Sequence, residues 1–209
     1  MVLTFKEGMK YPWGKASRLW LALWLLLPIF GWFALGGYMK KIINSIVGGN
    51  TRELPAFGKF WDNFGTGFML FLKILPLMIV VMLVSIIPII GTLLEVLISL
   101  FLLPWLTVNL MQKYTVASTF EFQKAFEVVF GNFGEYIMVL IRSLFYGIIY
   151  ALLILVLIGI PCSLFGKHIY IADFYAAYGK KAKPAVRKAS VVKKAVKKKK
   201  KSAAKKKKK

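Results

Sequence analysis

The sequence predicts an all-α, polytopic helical membrane bundle of about four spans, with interfacial amphipathic helices and a disordered basic tail. Three observations support this prediction. The 209-residue chain is 58% hydrophobic, more than a soluble domain of this size contains. Uncharged runs of 21 residues occupy positions 19–39 and 74–94, and each is about long enough to cross a bilayer core. The last 30 residues, 180–209, contain 17 Lys or Arg and no acid.

The first uncharged run, 19–39, follows a basic N-terminal segment and is interpreted as a span. A signal peptide is one alternative, since residues 34–36 loosely resemble a cleavage site, although several tryptophans make the run bulky. A second alternative is a hairpin that returns to its own side, which Pro28, Gly31 and the glycines at 36–37 permit. The sequence leaves open whether 19–39 crosses.

Two further segments are predicted to be amphipathic helices at the membrane interface. In 40–49, aliphatic residues fall on one helical face and lysines on the other. In 118–130, aromatic and aliphatic residues repeat at helical spacing, and Ser118 with Glu121 suggests a capping box at the start.

The remaining apolar runs predict three more crossings. The run 74–94 is followed after Glu95 by 17 uncharged residues, 96–112, and a turn is expected at residues 88–91. The last run, 136–166, is interrupted only by Arg142 and exceeds one straight span, so a bend is expected near Pro161. No internal repeat is visible in the sequence.

Basic residues beside the spans predict the orientation, because Lys and Arg near spans stay in the cytoplasm. An even number of crossings makes the chain a multi-pass protein of the cell membrane, with the amino end and the tail both cytoplasmic. This arrangement conflicts with the same rule at one place, since it puts Lys40, Lys41, Arg52 and Lys59 outside.

Glu95 and Arg142 are the charges inside apolar runs, which makes them the candidate intramembrane polar pair. At a common depth they would form an ion pair that Asn109 could join. The structural alternative puts Glu95 at the end of a span and lets Arg142 snorkel to the interface. A single cysteine and a single histidine argue against metal and cofactor sites, and no catalytic constellation is visible, so no enzymatic activity is expected.

The charge distribution divides the chain into a helical transmembrane domain, 1–179, and a lysine-rich cytoplasmic tail, 180–209. The tail is expected to bind anionic lipid headgroups, or RNA, DNA or ribosomes, through phosphate contacts, because no aromatic residue interrupts the lysines. The residues predicted to bind these anionic surfaces are Lys193, Lys194, Lys197, Lys198, Lys199, Lys200, Lys201, Lys205, Lys206, Lys207, Lys208 and Lys209.

Short motifs spread over residues 9–179 carry a family resemblance. They are Tyr11-Pro12, Gly37-Tyr38, Glu53-Leu54-Pro55 with Phe60-Trp61-Asp62, Phe120 with Ala125-Phe126, Asn132 with Tyr136, and Tyr175 with Tyr178-Gly179. In this pattern the chain resembles the prokaryotic membrane-protein family called domain of unknown function 4013. The resemblance implies a multi-span helical membrane protein without an assigned activity, so it transfers no catalytic residue.

The sequence therefore predicts a non-enzymatic integral membrane protein in a lipid bilayer, whose polybasic tail binds anionic surfaces. One alternative is a small transporter or channel component, which needs a polar path near Glu95, Asn109 and Arg142. Another is a ribosome-tethered insertion factor, which needs a hydrophilic groove open to the cytoplasm. The oligomeric state is not given by the sequence.

Overall fold

The computed structural model describes residues 3–87 and 89–179, and in this part of the chain all regular structure is helical. The helices, in chain order, are α1 (Phe5–Lys10), a 3₁₀ helix (Tyr11–Leu26), α2 (Phe30–Val47), α3 (Phe60–Ser85), α4 (Ile90–Leu97), a π-helical turn (Ile98–Leu102), α5 (Leu103–Lys113), a 3₁₀ turn (Val116–Phe120), α6 (Phe122–Gly131), α7 (Phe133–Leu153), a 3₁₀ turn (Ile154–Val156), α8 (Gly159–Gly166), α9 (Ile169–Phe174) and a second π-helical turn (Tyr175–Gly179). The prediction of an all-α class is confirmed.

Within residues 3–87 and 89–179, the chain reverses direction three times inside apolar sequence and so forms three antiparallel helical hairpins. The 3₁₀ segment Tyr11–Leu26, which is kinked at Lys15, and α2 form the first hairpin. Helix α3 pairs with α4 and α5 in the second hairpin, and α7 pairs with α8 in the third. Hydrogen bonds join the arms of each: Trp32 Nε1 to the Leu25 carbonyl (3.3 Å), Ser85 Oγ to Glu95 (2.6 Å), and Tyr146 Oη to the Cys162 carbonyl (2.6 Å).

The tips of the three hairpins share an unusual backbone. Each contains a bulky aliphatic residue with positive φ, namely Ile29 (66°), Ile89 (61°) and Leu157 (61°). Positive φ is normally disfavoured for such residues and costs about 1–3 kcal/mol. The tips also expose apolar side chains, as in Ile89 (84% exposed) and Leu155 (88% exposed). Their shape is therefore maintained by the packing of the arms and not by local preference.

A glycine two residues after each strained position completes the shared tip. These glycines are Gly31, Gly91 and Gly159. A Cβ at any of them would overlap a carbonyl oxygen of the preceding arm, which belongs to Trp24, Val84 or Tyr150 respectively. In the described residues the three reversals thus share one local feature, a positive φ followed two residues later by a glycine. The first two also share the sequence Pro-Ile-x-Gly, at 28–31 and 88–91, whereas the third has only the glycine in common with them.

Helices α2 and α3 are packed most closely where glycines replace side chains. Gly37 lies against the backbone of Asn63, and Gly67 lies against the backbone of Phe33. Around this crossing, the ring of Phe33 contacts the rings of three α3 phenylalanines, with centroid distances of 5.3–5.8 Å. The two helices run antiparallel and are joined by residues 48–59. The first and second hairpins therefore both point away from this connecting segment in the same direction.

The structure corrects several sequence predictions. The run 19–39 is not one continuous helix, because the chain turns at residues 27–29, as the hairpin alternative allowed. Residues 40–49 do not form a separate interfacial helix, since most belong to α2 and their aliphatic face, including Ile42 and Ile46, is buried in the protein. The last run reverses at residues 154–158, before Pro161.

The predicted capping box of Ser118 and Glu121 is also wrong. Ser118 Oγ donates to the Thr115 carbonyl (2.5 Å), and the Glu121 carboxylate pairs with Lys113 instead of capping a helix. The amphipathic helix of this region, α6, begins four residues later, at Phe122. A capping box does occur at α1, where the Thr4 and Glu7 side chains bond to each other's backbone amide.

Among the residues that the structure describes, three helical segments are long and apolar enough to cross a membrane, namely 60–85, 91–113 and 133–153. The first two form the second hairpin, and the third is the outgoing arm of the third hairpin. Length and composition thus favour a membrane-embedded protein.

Candidate functional site

Glu95 lies near the tip of the second hairpin, where it accepts a hydrogen bond from Ser85 Oγ (2.6 Å). The two residues border a cavity of about 460 Å³ between α3 and the returning arm. Ser99 and Thr107 also line this cavity, while its other lining residues are aliphatic. The carboxylate therefore joins the arms of the hairpin and faces a small, weakly polar space.

Arg142, on α7, binds the N-terminal segment of the chain. Its Nη1 donates to the carbonyl of Leu3 (2.6 Å), while the amide of Leu3 donates to Asp173 Oδ2 (2.7 Å). Burial raises the pKa of the Asp173 carboxyl above its usual value. The backbone of Leu3 is thus held between a cation and a carboxylate. Two tyrosine hydroxyls extend this docking site, from Tyr170 to the Phe5 carbonyl and from Tyr150 to the Met9 carbonyl (each 2.9 Å).

The predicted intramembrane polar pair is not assembled in the part of the chain that the structure describes. Glu95 is bonded to Ser85, and Arg142 is bonded to Leu3. Asn109 joins neither of them. It is fully buried, donates to the Ser118 carbonyl (2.8 Å) and accepts from Tyr175 Oη (2.7 Å), so it ties α5 to the following turn and to the end of the helical body.

A cluster of basic side chains that sequence reasoning missed surrounds Tyr114, the residue that ends α5. The ammonium of Lys73, on α3, lies 3.3 Å from the centroid of the Tyr114 ring, and that of Lys40, on α2, lies 4.2 Å from it. Lys73 Nζ also donates to the Tyr114 carbonyl (2.8 Å). The one available sequence signal was the position of Lys73 directly before the uncharged run 74–94.

An apolar groove of about 740 Å³ runs between the 3₁₀ helix of the first hairpin and the third hairpin. Leu26 and Leu157, beside the two tips, both line it, so these tips lie at the same end of the body. The groove contains no charged lining residue, and within residues 3–87 and 89–179 no group of three His, Cys, Asp or Glu side chains is placed to hold a metal ion. The predicted binding lysines of the tail, Lys193 to Lys209, lie outside the described residues.

Comparison with known proteins identifies the family. The family model described as Protein of unknown function (DUF4013) matches residues 20–159, which include all three hairpin tips. No curated protein and no solved structure matches the chain. The match confirms the resemblance found in the motifs of the sequence, and the chain belongs to the DUF4013 family.

Proposed function

We propose that this protein is a non-enzymatic membrane anchor, whose hairpin body presents the polybasic tail on the cytoplasmic face of the cell membrane. There the tail binds anionic surfaces, either lipid headgroups or the phosphates of RNA, DNA and ribosomes. The observation that carries the proposal is the separation of charge along the hairpins.

The three chain reversals fall in sequence that is almost free of charge. No Lys, Arg, Asp or Glu occurs in 19–39, 74–94 or 143–166, which contain the three tips, and Glu95 is the one charge close to a tip. The connecting segments 48–59 and 114–132 carry charges of both signs and join hairpin bases. This pattern supports a topology in which every hairpin enters from and returns to one side.

Such a topology agrees with the basic residues better than four crossings do. It puts Lys40, Lys41, Arg52 and Lys59 on the same side as the amino end and the tail, as the preference of basic residues for the cytoplasm requires. The conflict found with four crossings arose because 19–39 was interpreted as one span.

Single cysteines test this topology. In a Cys162→Ser background, we expect cysteines at Asn50, Lys124 and Ser202 to resist a membrane-impermeant thiol reagent in intact cells. All three should react in inverted membrane vesicles, because each would face the cytoplasm. Labelling of Asn50 and Lys124 in intact cells would restore the four-crossing arrangement. Labelling of Ser202 in intact cells would reject a cytoplasmic tail and the anchor function with it.

The binding role of the tail is tested by replacing its twelve predicted binding lysines, Lys193 to Lys209, with Gln in the full-length protein. We expect proteoliposomes of this variant to capture phosphatidylserine vesicles or ribosomes at least about 100-fold more weakly, since each lysine near an anionic surface contributes about 1 kcal/mol. The matched control replaces the same lysines with Arg, which retains the charge and should retain capture. Binding that survives the Gln variant, or that is unchanged between about 50 and 200 mM salt, would contradict the proposal.

The transporter alternative is favoured by one observation, the cavity beside Glu95. A continuous polar path would also need Asn109 and Arg142, which have other partners in the described structure. The anchor function is therefore preferred, and ion or solute flux in proteoliposomes that is lost on Glu95→Gln would favour transport.

A further inference from the structure

Two ammonium groups share the Tyr114 ring, and no carboxylate of the described residues forms an ion pair with either of them. The ion pairs of the described residues involve other lysines, and the ring is the partner of Lys40 in this part of the chain. Burial and the nearby Lys73 ammonium lower the pKa of Lys40. Two cations held close together repel each other, so a bound anion would be favoured at this place.

Tyr114, whose ring lies beneath these two cations, is held in one position. Tyr114 has a left-handed backbone (φ 56°) and its amide donates to the Leu110 carbonyl (2.7 Å). Its carbonyl accepts from Lys73 and its hydroxyl donates to the Thr66 carbonyl (3.2 Å), so both ends of the residue are fixed. A ligand bound here would lose little affinity to ordering of the ring.

The location of the cluster indicates which anion it meets. Lys73 is the last charge before the uncharged run 74–94, and Tyr114 follows Lys113, which is the first charge after the run 96–112. The cluster therefore lies where the apolar part of the second hairpin begins, so a lipid headgroup can reach it if the hairpin crosses the membrane. Lysine stems can extend along apolar surface and place their ammonium groups at the interface.

We propose that Lys40, Lys73 and Tyr114 form a binding site for the phosphate monoester of an anionic lipid headgroup. A phosphate monoester carries close to two negative charges and three acceptor oxygens. These match two ammonium groups that keep N–H donors for a ligand, although Lys73 already donates one hydrogen bond to the Tyr114 carbonyl. The site belongs to the helical body, so it does not depend on the tail. Free phosphate has the same chemistry, but the position at the edge of the apolar run favours the lipid.

The site is tested with the full-length protein in a non-ionic detergent, at about 0.3 M salt to screen the tail. Dioctanoyl phosphatidic acid, inorganic phosphate and dioctanoyl phosphatidylcholine are titrated in turn, and calorimetric affinity and the unfolding temperature are measured. We expect phosphatidic acid to bind the wild type and Lys40→Arg/Lys73→Arg, and to bind Lys40→Gln/Lys73→Gln at least about tenfold more weakly. The matched control, Lys6→Gln/Lys59→Gln, removes the same charge from exposed lysines and should bind within about twofold of wild type.

Three results would overturn the proposal. Equal loss of binding in Lys40→Gln/Lys73→Gln and in Lys6→Gln/Lys59→Gln would mean that binding depends on the net charge of the protein and not on this site. Equal affinity for phosphatidylcholine would mean that the acyl chains are recognised. Equal affinity for inorganic phosphate, lost in the Lys40→Gln/Lys73→Gln variant, would assign the site to free phosphate and reject the lipid headgroup. Lys40→Gln alone keeps the test valid if the pair unfolds, because Lys40 contributes no hydrogen bond to the described fold.

Discussion

Alanine at Gly67 is expected to lower the free energy of unfolding by about 3 kcal/mol. Its Cβ would overlap the Phe33 carbonyl oxygen and approach the Gly37 amide nitrogen to 2.8 Å. Both are backbone atoms inside helix α2, so no side chain can move away and the two helices must separate. Since α2 and α3 connect the first hairpin to the second, we expect the loss of stability to extend over the whole helical body and not over one hairpin alone. Equilibrium unfolding in mixed detergent micelles, followed by tryptophan fluorescence, measures the change.

Gly65→Ala is the matched control for this prediction. Gly65 lies two residues away on the same helix, and nothing lies within 4 Å of the position of its Cβ. Alanine there should leave stability unchanged or raise it by up to about 1 kcal/mol, through its better helix propensity. If the two variants unfold at the same denaturant concentration, the close α2–α3 contact is not a determinant of stability.

Replacement of Arg142 by Met is expected to lower the free energy of unfolding by about 2 kcal/mol, because a charge-assisted hydrogen bond to the Leu3 carbonyl is lost. The Asp173 carboxylate would then hold the Leu3 amide without the neighbouring cation. The amides of α1 should exchange with deuterium faster, since this helix follows the segment that Arg142 fixes. Unchanged exchange in α1 would show that the guanidinium does not dock the N-terminal segment.

Glu95→Gln is the variant to compare with Arg142→Met, because a glutamine carbonyl can still accept the hydrogen bond from the Ser85 hydroxyl. We expect it to lower the free energy of unfolding by less than about 0.5 kcal/mol. Combining the two substitutions separates the docking interpretation from an intramembrane ion pair. Residues without a shared partner should have additive effects within about 0.5 kcal/mol, whereas a direct pair would show a larger coupling energy.

The helical membrane class could be predicted from the sequence because it follows from composition and from the lengths of apolar runs. The reversals near residues 29 and 89 were also predictable, since a proline and a glycine flank each of them. The reversal at Leu157 was harder to place, because no proline precedes it and its positive φ is one that bulky aliphatic residues normally avoid.

The candidate sites depended even more on distant contacts. Arg142 and Leu3 are 139 residues apart in the sequence, so the stretch around Arg142 suggested snorkelling and not a hydrogen bond to the amino end. The lysine cluster at Tyr114 combines three helical elements, and no spacing rule connects them. The capping box at Ser118 failed for a similar reason, since Lys113 binds the Glu121 carboxylate.

The repeated tips have a consequence for how the chain is made. If each hairpin returns to the side from which it entered, both of its arms can insert together as soon as they leave the ribosome. Moving a Lys, Arg or Asp across the centre of the bilayer costs about 2.5–3.5 kcal/mol for each residue. The charged connecting segments 48–59 and 114–132 would never have to be translocated. Biogenesis would then proceed in three separate steps, one hairpin at a time, and would leave the lysine-rich end in the compartment where it was synthesised.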